Sequence, residues 1–562
     1  MTAGREQRAV AFVVARLSSS RLPGKQLRRV GSKSIIEWIM HSLAACAELD
    51  QIVLATVAEP ENEPLRTLAE ANGWACFWYA GEVDDVVGRL VSAATEYAAD
   101  VCLLISADCP LVHGPSVDEL VRQMRSLPEA DCLVMPAGDA GACLLQGVQI
   151  ARRSAWQAAA DASDRPELRE HQFPVLYRDR ARFRHVPVTL DRSVYGAYHR
   201  LSVDTWADLE FMQALHDRLA GQGQPFALPH ANALLTAEPA LRALNAHVHQ
   251  RALVESPRRV LMIVDAGGQF GFGHLMRCRE LAGQLVERLG WPVTFVVDDA
   301  TAADLVRETG FRLLWGAISR QPSGPPPADI DCADSAALAR HDFVLVDVSV
   351  RRTLQTGWRD SLATGVPVVV MDREDGAVAE ADLIVYPGVS GRTRVRGPGG
   401  PAVIEGIEHV ILRREVRRAQ SAVVVKDIDL LVYLYDRAAS RAIEGLGRHR
   451  GWRVVVSEGF DRAFATTMAR SRVFLSGFGQ SFYEAVALSS YPVVWPLSAA
   501  HAADADAFYR AFGMPPTQIT EIDDAARLLS PLIEQGLPDI PGIVDGTPRI
   551  AARLAVLAGD PQ

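Results

Sequence analysis

Short apolar runs alternate with amphipathic stretches along most of the chain. AVAFVVA (9–15), IVLATV (52–57), WACFWYA (74–80), VCLLISA (101–107) and DCLVMPA (131–137) have the length and β-rich content of buried strands. Between them, VDDVVGRLVSAATEYA (83–98) places Val86, Val87, Leu90, Val91 and Ala94 on one face of a helix. Strand and helix in alternation predict a parallel sheet covered on both faces. The pattern fades over 241–259 and restarts with RVLMIVDAGG (259–268). RVLMIVD (259–265), PVTFVVD (292–298), DFVLVDV (342–348) and PVVVMD (367–372) form one set of strands. After the Pro/Gly-rich break VRGPGGPA (395–402) a second set follows: IDLLVYLY (428–435), WRVVVSE (452–458), RVFLSG (472–477) and PVVWPL (492–497). The expected fold class is therefore α/β, with a Rossmann-like domain over 1–245, a linker over 246–258, and a second half over 259–562. That half is expected to hold two Rossmann-like lobes, about 259–400 and 401–562, with a cleft between them. QPSGPPPAD (321–329) and RVRGPGGP (394–401) read as surface loops.

Composition narrows the function classes. At 562 residues the chain is too long for one core. Its 58 Lys and Arg against 68 Asp and Glu give a net charge of -10, so no overall positive field holds nucleic acid or an anionic membrane. The eight cysteines are scattered without a CxxC pair, which suggests reduced thiols. The start, MTAGREQRAV, lacks a signal-peptide core, and no apolar run approaches the about 20 residues that span a bilayer. A cytoplasmic protein meeting soluble substrates is expected.

The stretch ARLSSSRLPGK (15–25) lies between the first strand and the first helix, at the sheet edge where open α/β folds bind ligands. Its serines and backbone amides can cradle phosphate, and Arg16, Arg21 and Lys25 add charge-assisted bonds. A triphosphate fits that demand; a solvated basic loop is the alternative. SADCPL (106–111) ends a strand with Asp108, and RLSVDTWADLE (200–210) supplies Asp204. Two carboxylates at strand ends suit Mg2+ against a nucleotide, although each could instead be a helix N-cap.

The motifs at 15–25, GEVDDVVGR (81–89), ADCPL (107–111) and LSVDTWAD (201–208) resemble, in order, those of the sugar-nucleotide cytidylyltransferases. The nearest group is the spore-coat polysaccharide type, related to the synthetases of CMP-sialic acid and CMP-Kdo. The resemblance covers roughly the first 240 residues. It implies that Ala15, Arg16, Ser19, Arg21 and Lys25 bind CTP, with Lys25, Arg21 and Asp108 acting at the reacting phosphate. Asp108 and Asp204 would hold Mg2+, and Asp85 and Arg89 would border an acidic sugar. Asp85 and Arg89 also read as an i,i+4 surface pair. Two positions depart from the family pattern: a glycine common in the loop is Ser18, and an arginine usual before the DCP motif is Leu104.

In the second half, DAGGQFGFGHLMRCRELAGQL (265–285) is again strand, glycine-rich turn and helix, with His274 at the helix start. A histidine there is either functional or a capping and packing residue. GFGQSFYEAVALSSYPVVWP (477–496) resembles the nucleotide-diphosphate site of the two-lobed glycosyltransferase B fold. Together, GFGHLMRC and SGFGQSFYEA resemble the UDP-sugar hydrolases of pseudaminic acid synthesis. That likeness implies His274 as the base that activates water. It also implies Asp265 and Arg277 at the sugar, and Gly271, Gly273, Ser481 and Glu484 at the nucleotide. Where that family has a Gly-Gly-x-Asp turn this chain has YLYD (433–436), and an Asn-Gln pair is replaced over 501–504. The expectation is a bifunctional enzyme of nonulosonic-acid (pseudaminic or legionaminic) surface-glycan synthesis. It would use CTP, Mg2+ and an acidic sugar, with a UDP-sugar at the second site and a homodimer as a possible assembly. The alternatives make the second half a glycosyltransferase or a non-catalytic nucleotide-sugar-binding module.

Overall fold

The computed structural model describes residues 7–559 except 20, 135–146, 190, 192–193, 195–198, 250–256, 268–270, 318–321, 323, 328–329, 350–353, 355–356, 363–364, 374–378, 390–399 and 459–462. Most of the expected linker, most of VRGPGGPA and residues 268–270 of the glycine-rich turn thus lie outside the described residues. The chain divides into two compact units, Met1–Glu255 and Ser256–Gln562.

The strands of the first unit are β1 (Ala9–Val14), the two-residue β2 (Arg29–Val30) and β3 (Lys33–Ser34), β4 (Gln51–Val57), β5 (Ala75–Tyr79), β6 (Val101–Ser106), β7 (Cys132–Val134), β8 (Val148–Arg152) and β9 (His185–Pro187). Seven of them form one sheet in the order β5-β4-β1-β6-β8-β7-β9. Along β1, Ala9, Ala11 and Val13 enter one apolar cluster while Val10 and Phe12 enter another, so both faces of the sheet are covered. The sheet is mixed rather than parallel, because β8 runs antiparallel to both β6 and β7. Its sequence, VQIAR, carries no continuous apolar run to announce a strand.

In the second unit, β10 (Val260–Val264), β11 (Val293–Val297), β12 (Arg312–Trp315), β13 (Phe343–Asp347), β14 (Val368–Met371), β15 (Leu383–Tyr386) and β16 (Ala402–Glu405) form a parallel sheet in the order β12-β11-β10-β13-β14-β15-β16. A second parallel sheet has the order β18-β17-β19-β20, from β17 (Ile428–Tyr433), β18 (Val454–Val456), β19 (Ser471–Ser476) and β20 (Tyr491–Val494). The division at 400/401 needs correcting. β16 completes the first of these sheets, and the chain returns to it at the end. Helix Thr547–Leu557 buries Ile550, Ala551, Leu554 and Ala555 in the same cluster as Leu281 and Leu285 of helix Gly273–Leu289. Those four positions are one helical face, and their apolar area is what holds the terminal helix there.

In both large sheets the first strand is central, and its two neighbours carry the chain away in opposite directions. The loops after β1 and β6, and those after β10 and β13, therefore diverge and leave a crevice at the strands' C-terminal ends. Register brings Val14 beside Ser106 and Val264 beside Asp347.

Candidate active site

A cavity of about 1270 Å3 opens at that edge of the first sheet. The 15–25 loop forms one wall and is folded by its own backbone: Ser19 N and Gly24 N both donate to Leu17 O, at 2.9 Å each. Leu22 is fully buried beneath the loop, and Gly24 takes the left-handed conformation (φ 61°) that turns the chain into Lys25. Ser19 Oγ accepts from Leu22 N at 3.4 Å, and Ala15 N donates to Ala55 O at 3.2 Å. Ser19 and Ala15 therefore shape the loop as well as bordering the cavity.

Lys25 brings the distant motifs together. Its ammonium donates to Asp108 Oδ2 at 2.7 Å and to Asp204 Oδ1 at 2.8 Å. Arg21 Nη2 lies 3.0 Å from the same Asp204 oxygen, and Arg200 pairs with the other oxygen. Burial alone would push the Lys25 ammonium down, but Asp108 and Asp204 outweigh it and hold its pKa above the ordinary lysine value. Burial opposes ionisation of Asp204 too, yet Lys25, Arg21 and Arg200 keep its carboxyl well below the usual carboxylate range. Asp204 is not a helix cap. Thr205 caps helix Trp206–Gly221, in a reciprocal capping box with Asp208. Val203 N donates to Asp108 O at 2.8 Å, so backbone pairing sets the two aspartates side by side. Arg16 is held at the rim by Asp84 and by Glu170 at 3.6 Å.

Asp85 and Arg89 do not pair. Asp85 caps helix Val86–Glu96 through Gly88 N (2.9 Å), and its carboxylate is forked by Arg169, Nε at 2.9 Å and Nη2 at 3.0 Å. Arg89 is fully buried in the cavity wall; its Nη2 donates to Val83 O at 2.7 Å and its Nε has no partner. Burial, with Arg16 nearby, pushes its pKa down to about 10. Leu104 is buried among apolar neighbours of that same helix. Arg169 and Arg200 escaped sequence reasoning. Arg200 stands four residues before Asp204 in the motif itself, whereas Arg169 sits in a segment without a periodic pattern.

At the second unit's crevice, His274 Nδ1 lies 2.7 Å from Asp347 Oδ1. Arg277 clamps the same carboxylate, Nε to Oδ2 and Nη2 to Oδ1 at 2.6 Å each, and reaches Asp372 at 3.1 Å. Asp347 is fully buried; burial opposes its charge, but Arg277 and His274 prevail and hold its pKa well below the usual range. His274 is therefore neither a cap nor an apolar packing residue. Asp347 was missed, although it ends a strand as Asp108 follows one. Asp265 accepts from Ser349 N at 3.0 Å and so fixes the loop after Asp347.

Glu484 is fully buried, with Oε1 and Oε2 accepting from Arg413 at 2.7 and 2.5 Å and Oε1 also from Gln480 Nε2 at 3.3 Å. Ser481 lies in the first turn of helix Gln480–Ala487, whose Gln480 and Tyr483, rather than Ser481 itself, line a small cavity of about 80 Å3 together with Arg277 and Asp372. In the YLYD turn, Asp436 caps helix Arg437–Arg450, Tyr433 packs on Phe464, and the Tyr435 hydroxyl lies against Gly271 (φ 68°). Gly273 opens helix Gly273–Leu289.

Among the described residues no group of three or more His, Cys, Asp or Glu side chains is placed to hold a metal ion, and no helix is long and apolar enough to cross a membrane. Asp108 and Asp204 still offer the hard oxygen pair that Mg2+ takes, with the Lys25 ammonium now in the gap between them.

Residues 10–232 match the cytidylyltransferase family model. The 3-deoxy-manno-octulosonate cytidylyltransferase of Bdellovibrio bacteriovorus is 28% identical over 122 residues, which are 22% of this chain and 48% of that enzyme, so the match spans about half of the relative. The spore coat polysaccharide biosynthesis protein SpsF of Bacillus subtilis is 25% identical over 239 residues, 41% of this chain and 95% of that protein. A solved cytidylyltransferase of Leptospira borgpetersenii overlays 42% of this chain and 97% of its own at 21% identity, with a TM-score of 0.37. The first unit thus contains a domain similar to the cytidylyltransferases, and the family match ends at residue 232.

Proposed function

We propose that the first unit transfers a cytidylyl group from CTP to a hydroxyl of an acidic sugar, forming a CMP-sugar for surface-glycan synthesis. The observation that carries this reading is the Lys25 ammonium between Asp108 and Asp204, beside Arg21, in one crevice-edge cavity. Arg16, Arg21 and Lys25 would bind the phosphates, and Asp108 and Asp204 would hold Mg2+. The bound ion supplies neutralisation of the phosphate charge that builds as the reaction proceeds. The sugar hydroxyl oxygen attacks the α-phosphorus, the bond to the β-phosphate oxygen breaks, and pyrophosphate leaves as the hydroxyl gives up its proton. The test follows pyrophosphate release with CTP, Mg2+ and a panel of sugar acids. Asp108→Asn or Asp204→Asn should lower it by about 100-fold or more with the fold retained. Full activity in either variant removes the metal assignment.

For the second unit we infer a hydrolase of glycosyltransferase B type that releases UDP from a UDP-sugar, carried by the His274–Asp347 contact of 2.7 Å. In the tautomer in which Nδ1 donates to this buried carboxylate, Nε2 is the nitrogen that would accept a proton from water. Release of UDP from a diacetamido UDP-sugar, lost in His274→Ala, is the test. Wild-type protein that neither cleaves nor binds a UDP-sugar would leave this unit without the activity.

A further inference from the structure

The two oxygens of Asp204 have different partners. Oδ1 meets Lys25 Nζ at 2.8 Å and Arg21 Nη2 at 3.0 Å, both on the cavity wall. Oδ2 accepts from Arg200 Nη2, with Ser202 Oγ 3.5 Å away. Arg200 is held in its turn: Nε donates to Asp208 Oδ1 at 3.0 Å and Nη2 reaches Asp208 Oδ2 at 3.3 Å, so one guanidinium bridges two carboxylates. Asp208 is fully buried and anchored at both ends. Its Oδ2 accepts from the backbone N of Asp204 and of Thr205 at 3.0 Å each, and its Oδ1 accepts from Asn245 Nδ2 at 2.9 Å. That last donor comes from outside the motif. Asn245 follows the short helical segment Pro239–Leu244, beyond residue 232 where the family match ends. It is buried, and its amide is oriented at the other end too, because Oδ1 lies 2.6 Å from His199 Nε2. A continuous chain of polar contacts thus runs from His199 through Asn245, Asp208 and Arg200 to Asp204.

We propose that Asn245 is a positioning residue for Asp204: acting through Asp208 and Arg200, it fixes the rotation of the Asp204 carboxylate so that Oδ2 stays on the scaffold and Oδ1 is presented to the site. This rests on the reading of Asp204 as a Mg2+ ligand. The torsion that turns a carboxylate about its stem is soft, and Mg2+ tolerates little error in the placement of its ligands. Backbone amides pin Asp208 at Oδ2 and Asn245 pins it at Oδ1, and the two anchors together set the plane on which the Arg200 guanidinium lies. Without the Asn245 anchor the Asp208 carboxylate pivots on Oδ2, the guanidinium tilts with it, and Asp204 loses its fixed orientation. Outer partners of this kind are worth about 10-fold to 100-fold in metal affinity.

The experiment uses the full chain and the α,β-methylene analogue of CTP, which cannot be cleaved at the α-phosphorus. Calorimetry measures its affinity with a chelator present and again with millimolar Mg2+, and the ratio of the two is the gain that the metal confers. Wild-type protein should show a gain of at least about 10-fold. Asn245→Ala should reduce that gain at least about 5-fold while the metal-free affinity stays within about 2-fold of wild type. The Mg2+ concentration that gives half of the maximal pyrophosphate release should rise about 10-fold, and excess Mg2+ should restore the rate, which it should not do for Asp204→Asn. Arg200→Lys keeps the charge but cannot bridge both carboxylates, so it should show the same loss, and it serves if Asn245→Ala fails to fold. The double variant should lose no more than the worse single one, because both act along one chain of contacts. A lower melting temperature with the wild-type gain retained would make Asn245 a fold residue only and overturn the proposal. Equal weakening with and without Mg2+ overturns it as well, since the effect would then lie on the nucleotide, and so do additive losses in the double variant or an Arg200→Lys protein that keeps the full gain. A wild-type protein that gains nothing from Mg2+, or an Asp204→Asn protein that gains as wild type does, is a different result: it removes the metal assignment itself and this inference with it.

Discussion

A carboxylate that is buried and still ionised needs cations on it, and Asp204 and Asp347 each have them. Asp204 is wrapped by Lys25, Arg21 and Arg200, and Asp347 is clamped by Arg277, with His274 Nδ1 against the same carboxylate. Both folded pKa values lie below the unfolded carboxylate value of about 4, so each contributes stability that is present above that pH and is lost as the pH falls. Asp347→Asn leaves Arg277 buried beside an uncharged partner and should cost about 3–5 kcal/mol of stability at pH 7. Denaturant melts of the wild type and the variant should show that gap shrinking below about pH 4. A gap that does not change with pH would mean that the effect is steric. Lys25 and Arg21 were legible in the sequence because polar residues just beyond an apolar strand run stand out, whereas Asp204 follows no strand and was legible only from the motif ahead of helix Trp206–Gly221. Asp347 obeys the same rule but hides inside the run FVLVD, and the partner that takes Asp85, Arg169, lies 84 residues away from it.

Elements were legible where burial on both faces produced an unbroken apolar run, as in AVAFVV, VCLLIS and VLMIV. They were not legible where one face is wet or the run is short. VQIAR turned out to be an antiparallel strand, and AVIE completes a sheet beyond the expected lobe boundary. Where elements end, single polar side chains tie them. Lys426 Nζ donates to Ser471 O and Leu488 O at 2.8 Å each and to Ser490 Oγ at 3.0 Å, so it joins the start of β19 to the end of helix Gln480–Ala487. No carboxylate faces it among these contacts, and burial pushes its pKa down to about 8. The unfolded chain then holds more protons than the folded one between about pH 8 and 10.4, so stability rises with pH across that window. Thermal melts should show wild-type protein gaining on Lys426→Gln from pH 8 to pH 10. A constant difference would show that water keeps the ammonium charged.

At the scale of the whole chain, the two crevices belong to units with separate apolar clusters, and each carries its own set of polar groups. The two readings can therefore be separated by single substitutions. His274→Ala removes the nitrogen that would accept a proton from water, and should lower UDP release from a diacetamido UDP-sugar about 100-fold while pyrophosphate release from CTP continues. Asp108→Asn should do the reverse. In the YLYD turn, which stands where a glycine turn is expected, the two tyrosines differ in what they hold. Tyr433 packs on Phe464 with ring centroids 4.9 Å apart, so a glycine there would open the core. Tyr435 is the residue in the way: it is 66% exposed, and its hydroxyl would stand 2.4 Å from a Cβ built on Gly271. A phenol so close to a glycine turn occupies the space in which a nucleotide would meet that turn. Tyr435→Ala removes a ring with little burial, so stability should change by less than about 0.5 kcal/mol. Binding of UDP to the second unit, read by calorimetry, should tighten about 3-fold or more. If Tyr435→Ala instead weakens UDP, the phenol stacks on the nucleotide and is itself part of the site.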